Sequence, residues 1–324
     1  MKQNWFRFVR GGRCYDFTAY TDQRTGEVII RPRHNSKGKG IKTLPMQLIR
    51  SRWGQSVNAY QELAPFLEGT FTGEDTNRNP FNVFMQLNVS QGEVYLTKQE
   101  AAQGVCILED FVIASGKLYQ LYVTEIGDKL VSNIRLYGLT EITEETTVAE
   151  FSSAIVGSRR EMMCGVPRNP NAVRENLDVF VDLDELYFWR VYQVEDKGAL
   201  RLEVVRTSVQ IDCADRQHKL HDVVGKDGFT VTHATINGQE GYYLSCPKMQ
   251  NTGVAYMHAR GPHGKPVHTS FTQLQSLSTY KETYASVEAQ TKAVNSYGGV
   301  NRTNYARPTP NQNYFLDWVQ SGGV

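Results

Sequence analysis

The sequence predicts a mainly β, α+β fold, with antiparallel β-sandwich-like domains carrying a small helical insertion and extended terminal arms. Three observations point there. Between Val105 and Phe271 apolar residues recur with period two in short runs bounded by turn residues. Asn237-Gly238, set between Phe229–Ile236 and Tyr242–Cys246, is the residue pair that a two-residue type I′ hairpin favours. Helical periodicity is instead concentrated between Met46 and Gln103.

The elements follow in order. Trp5–Val9 and Arg13–Tyr20 flank Gly11-Gly12, and Glu27–Ile30 follows the turn Arg24-Thr-Gly, which gives short strands. Arg31 to Thr43 has no apolar period and two glycines between lysines, so it reads as a basic arm with nothing to bury alone. Met46, Ile49, Trp53, Val57, Tyr60, Leu63 and Leu67 form one stripe, predicting a helix that ends near Pro65. Asn79-Pro80 starts a second helix, and Thr97-Lys-Gln-Glu100 is a capping-box pattern for a short third.

Strands are then expected at Val105–Leu108, Phe111–Ala114, Leu118–Val123 and Leu130–Tyr137, with Ser115-Gly116 as a hairpin turn. Residues 140–155 become mildly helical. Further strands are expected at Val179–Leu183, Leu186–Val194, Leu200–Ile211, Phe229–Ile236, Tyr242–Cys246, Val254–Arg260 and Pro266–Phe271. After Gln275 aromatic residues sit among Ser, Thr, Asn and Gly. Such a tail has too few aliphatics for a core of its own, so it reads as an arm whose rings anchor on another surface or wrap its own domain. The domain reading is therefore 1–44, a basic β/arm segment; 45–103, a helical insertion; 104–275, an antiparallel β core divisible near 140–175; and 276–324, an extended C-terminal arm.

Composition excludes several classes. The 324 residues are 40% apolar and 21% charged, the balance of an ordinary globular chain of about two domains. No stretch approaches ~18 consecutive apolar residues, so no membrane span is expected. The first ten residues lack an apolar signal core, which predicts assembly in the cytoplasm. Five cysteines without a CxxC spacing read as free thiols in a reducing compartment.

Charge is unevenly spread. Lys2 to Trp53 holds twelve Lys and Arg against three acids, leaving +9, while Glu93 to Glu150 holds four against ten, leaving −6. A basic front and an acidic middle can dock copies head to tail, or place the basic surface on an anionic partner. The candidate interface residues are Arg31, Arg33, Lys37 and Lys39 in the arm, and Tyr305, Tyr314, Phe315 and Trp318 in the tail.

Catalytic signals are absent or weak. There is no GxxxxGK[ST], GxGxxG, GxSxG or HExxH pattern. His258, His263 and His268 surround one hairpin, but strand and tip positions do not aim three imidazoles at one ion, so neither metal nor cofactor is expected. Asp178, Asp182, Asp184 and Glu185 read as a solvent face or an anion-rich contact surface, and His218 and His221 beside Asp212, Asp215 and Asp222 as a solvated loop. Cys164 has no nearby histidine to activate it.

Two stretches, Asn79–Leu118 (NPFNVFMQLNVSQGEVYLTKQEAAQGVCILEDFVIASGKL) and Gly253–Leu274 (GVAYMHARGPHGKPVHTSFTQL), resemble an uncharacterised protein family common in Bacteroidetes and in the phages that infect them. The resemblance covers roughly residues 30–275 and supplies no catalytic residues. In phage members, including the crAss-like group, it implies a virion neck, ring or tail structural role. The expectation is thus a non-enzymatic, ring-forming homo-oligomer in the virion, in contact with neighbouring neck or tail proteins. The alternative is a nucleic-acid-binding module in which the basic arm touches DNA or RNA phosphates.

Overall fold

The computed structural model describes residues 13–14, 17–21, 27–32, 44–73, 79–162, 180–181, 183–225 and 229–297. The chain divides into two compact units, Met1–Thr43 and Leu44–Val324. The first contains a three-stranded antiparallel sheet of β1 (Arg13–Cys14), β2 (Phe17–Thr21) and β3 (Val28–Pro32), in which Arg31 pairs with Thr18.

The second unit is mainly β with a few helices, as the sequence predicts. Its central sheet runs β12 (His268–Thr269), β11 (Thr252–Arg260), β7 (Glu185–Asp196), β8 (Ala199–Gln210), with β14 (Gln275–Leu277) also on β11. A second sheet runs β5 (Val123–Ile126), β6 (Lys129–Leu136), β10 (Gln239–Pro247), β9 (Thr230–Ile236), and every pairing in both is antiparallel. A third pair, β4 (Val112–Ala114) with β13 (Thr272–Gln273), lies apart from them.

The central sheet is covered on both faces. Alternation sends Leu186, Phe188, Val254 and Tyr256 toward the second sheet, where they pack with Ile134, Leu136 and Leu244. Tyr187, Trp189, Val191, Ala255 and Met257 point the other way, against the helical layer. Two-sided burial explains why Leu186–Val191 carries only one charged residue, Arg190, where a half-exposed strand would alternate with polar ones. The rings of Phe151 and Phe229 stack at 5.3 Å, and Phe188 meets Tyr256 at 5.1 Å. The hairpins turn where expected: Lys197-Gly198 and Asn237-Gly238 have φ of 51° and 78°, and of 51° and 76°, the positive pair that type I′ requires.

The helical layer is built by α1 (Leu44–Leu63), α2 (Pro80–Asn88) and α3 (Lys98–Ala102). Asn79 caps α2 through Phe81 N–H, and Thr97 with Glu100 closes the capping box of α3. Helix α1 departs from expectation. It turns polar side chains inward along much of its length, Gln47, Ser51, Gln55 and Asn58 being buried, and its first half leaves Met46, Ile49 and Trp53 outside.

The inward polar face has a partner. Val105–Leu108, predicted as a strand, is extended and buried but unladdered. Cys106 N–H donates to Leu200 O of β8, and most of the remaining main-chain groups bond to side chains. Gln55 accepts from Ile107 N–H at 3.0 Å and donates back to Ile107 O, while Asn58 donates to Val105 O at 2.8 Å. From β7, Gln193 accepts from Leu108 N–H and donates to Cys106 O. Side-chain amides replace a neighbouring strand, satisfying buried backbone groups at no apolar cost to the sheet.

Two other expectations change. Ser115-Gly116 is not a hairpin turn: Ser115 bridges Phe71 and Leu118 bridges Ser270, both in parallel. Residues 276–297, read as the start of an arm, fold as part of β14 and as α6 (Thr279–Ala285) and α7 (Val287–Ser296), preceded by α4 (Val148–Met162) and α5 (Leu220–Val224) earlier in the chain. Ser278 and Ser286 cap α6 and α7, and the buried face of α7 is small, Gln290, Ala293 and Val294, where it packs on α1. Small buried side chains gave no apolar stripe to read. Residues 298–324 lie outside the described residues.

Candidate functional site

The densest polar cluster lies at one end of β7 and β11. Leu183, 62% exposed with φ 73°, makes a turn held by Leu183 N–H to Ile211 O and Ile211 N–H to Asp184 O. A leucine in this left-handed region is strained, so the bonds on either side hold it there. The turn drives Asp184 inward. Its carboxylate accepts from Val181 N–H at 2.9 Å, from His258 Nε2 at 2.7 Å, and from the Arg260 guanidinium at 2.8 and 2.9 Å.

Burial pushes the Asp184 carboxyl up, but hydrogen bonds from Arg260 and His258 outweigh it and hold the group below its usual range. Burial, only partly offset by Asp184, lowers His258. Its imidazole is therefore neutral at pH 7, with the proton assigned to Nε2 by the Asp184 contact. The Phe180 ring covers it, with centroids 4.1 Å apart.

Glu185 closes the same corner. It accepts from the Tyr187 hydroxyl and Gly264 N–H and pairs with His263. Both are buried, Asp184 anchoring the end of β11 and Glu185 the 261–265 loop, which corrects the solvent-face reading. A carboxylate immediately before a strand buried on both faces was the signal that could have shown it. Asp178 and Asp182 lie outside the described residues.

The three histidines around this loop answer to different neighbours. His258 bonds Asp184, His263 bonds Glu185, and His268 sits in β12 opposite Arg260. Ser270 completes a Ser/His/Asp set in composition only: its hydroxyl accepts from the His258 main-chain N–H and pairs with Thr272, not with the imidazole. No group of three or more His, Cys, Asp or Glu among the described residues could hold a metal ion. His218 pairs with Asp215 at 2.9 Å on the surface, and Asp212 caps Ala214 N–H, the local bonding of a polar loop. Cys106, Cys213 and Cys246 form no disulfide, and burial pushes the Cys106 and Cys246 thiols up, away from thiolate character.

The acidic middle of the chain is mostly surface. Glu125, Asp128, Glu141, Glu144, Glu145 and Glu150 are exposed, with Glu125 paired to Lys248 and Glu145 to Lys219. Beside them an open groove of about 590 Å³ runs between Tyr137–Leu139 and the first turns of α4, with Cys213 and Arg216 on its rim. Glu109 is the exception among the acids: buried, it accepts from the main-chain N–H of Glu93 and Val94 and from Gln55.

Of the candidate interface residues, Arg31 is placed in β3. Arg33, Lys37, Lys39, Tyr305, Tyr314, Phe315 and Trp318 lie outside the described residues. Sequence reasoning missed a further surface, the outward apolar side of α1, because it took a single stripe to be the buried one. Compared with known proteins, the chain matches no family model, no curated protein and no solved structure.

Proposed function

We propose that the chain is a non-enzymatic structural subunit of a phage virion, forming a ring or collar in the neck or tail through subunit–subunit contacts. The observation that supports this reading best is the separation of charge: +9 over Lys2–Trp53 against −6 over Glu93–Glu150, with seven of the ten acids of the latter facing solvent. Opposite charges on different segments of one chain favour a heterologous contact between copies, and such a contact closes into a ring when its rotation closes. The resemblance of Asn79–Leu118 and Gly253–Leu274 to a family found in Bacteroidetes and their phages supplies the virion setting.

Native mass spectrometry of the full chain tests it. Oligomers are expected at low ionic strength and should fall apart toward ~1 M salt, where the screening length is about 3 Å. The variant with Arg31, Arg33, Lys37 and Lys39 all changed to Glu should remain monomeric. A wild-type chain that stays monomeric at every salt concentration would remove the reading. If that monomer also bound an oligonucleotide with a steep salt dependence, lost in the same variant, the nucleic-acid module would replace it.

A further inference from the structure

The apolar stripe of α1 is roofed for only part of its length. Toward its C-terminal end Tyr60 lies under α2, where the Phe81 ring meets it at 5.1 Å. Earlier along the same face Met46, Ile49 and Trp53 remain 44%, 53% and 45% exposed, and Phe81 reaches only Trp53, edge-on at 6.5 Å. The opposite face carries Gln47, Ser51, Gln55 and Asn58 into the core. Two turns of helix, about 10 Å long, therefore present their apolar side outward.

We propose that residues 314–319 of the same chain, Tyr-Phe-Leu-Asp-Trp-Val, lie on this strip and continue the roof that α2 begins. The described chain ends beside it. The Tyr297 hydroxyl stands 3.3 Å from the point a β-carbon on Gly54 would occupy, one residue beyond Trp53. The Arg50 charge, on the strip's near edge, is felt by the same hydroxyl.

From Gly298 to Asn313 is a tether of sixteen residues. Sixteen residues can reach up to about 50 Å, and the far end of the strip is only about 12 Å from Gly54 along the helix. A segment joined to the same chain within that reach meets the strip at a local concentration far above that of a second copy in dilute solution. The chemistry matches. Phe315, Leu316, Trp318 and Val319 offer apolar area to Met46, Ile49 and Trp53, and the Met46 sulfur suits an aromatic neighbour. Asp317, the only acid after Glu288, carries the charge opposite to that of Arg50. The inference concerns a single subunit and stands apart from ring assembly.

Two readouts on the full-length chain test it. Hydrogen exchange followed by mass spectrometry reads the amides of 314–319, and slow oxidation by dilute peroxide reads the Met46 sulfur. In the wild type the segment should exchange at least tenfold more slowly than a free peptide, and equally so after dilution to monomer. Ile49→Asp should abolish that protection. Because Ile49→Asp alone could perturb the helix, a second variant, Phe315→Ser with Trp318→Ser, changes only the tail and should make Met46 oxidise several-fold faster. Free exchange of 314–319 in the wild type would overturn the proposal, as would Met46 oxidation unchanged in the tail variant. Protection that vanishes on dilution would assign the strip to a neighbouring copy and overturn it equally.

Discussion

The Asp184 carboxylate and the His258 imidazole meet at 2.7 Å with 2% and 1% of their side chains exposed. They join the residue just before β7 to the C-terminal end of β11, and Arg260 joins the same carboxylate two residues later. Such a contact positions the strands rather than adding much net stability, because taking both groups out of water offsets most of their attraction. Its weight shows when one partner is removed.

Asp184→Asn should destabilise the fold by about 3 kcal/mol, since it leaves the Arg260 guanidinium without its charge partner and weakens the acceptor of His258. The pH dependence has a definite sign. Both groups have lowered values in the folded state, so each contributes stability above its unfolded value and loses it as pH falls. The loss from His258 begins near pH 6.5 and that from Asp184 near pH 4, on ordinary unfolded values. Thermal denaturation from pH 8 to 3 should show wild-type stability declining in both ranges. The lower stage should shrink in Asp184→Asn, and an unchanged profile would contradict the assignment.

Gln55 should matter more than the larger apolar residues beside it. Gln55→Ala removes both partners of Ile107 and one of Glu109, stranding buried polar groups at a cost of roughly 2–4 kcal/mol. Ile49→Ala, at an exposed position, should cost less than about 1 kcal/mol. Urea denaturation of the two variants measures the contrast, and the reverse ranking would mean that α1 is turned the other way.

Gly116 has no room for a side chain. A β-carbon there would fall 1.9 Å from the Thr269 carbonyl oxygen, a backbone atom fixed by its neighbours. Gly116→Ala should therefore cost about 3 kcal/mol or more, at the upper end for overpacking. Gly73→Ala, 3.0 Å from Gly116 Cα, should be milder. Melting temperatures of the two variants give the comparison.

Assembly through charge predicts rescue as well as loss. Glu141→Lys, Glu144→Lys and Glu145→Lys together should abolish oligomers, as should the Arg31, Arg33, Lys37 and Lys39 reversal. Mixing the two variants should restore oligomers in which they alternate, seen by native mass spectrometry, since every front-to-middle contact between unlike variants again joins opposite charges. Failure of the mixture to associate would separate charge from assembly.

Much of the fold was legible in the residues. Asn79 and Thr97 announce their caps, Asn237-Gly238 its hairpin, and the unbroken Leu186–Trp189 run a strand covered on both sides. These signals are local, each set by a side chain and the few residues around it. The candidate site was less legible. Asp184 and His258 were each visible, yet 74 residues apart in sequence nothing marks them as partners.

Local propensity, turn chemistry and hydrophobic period thus settled the class of the fold, the main hairpins and the helix starts before any packing was considered. Packing alone decided which side of α1 faces inward. A helix from Leu44 to Leu63 offers an apolar stripe and a polar one, and hydrophobicity favours burying the first. The second is buried because Val105–Leu108 brings backbone groups without strand partners into the interior, and Gln55 and Asn58 of α1, with Gln193 of β7, satisfy them there. That demand arises from the meeting of distant segments, so it exists only once the chain has folded.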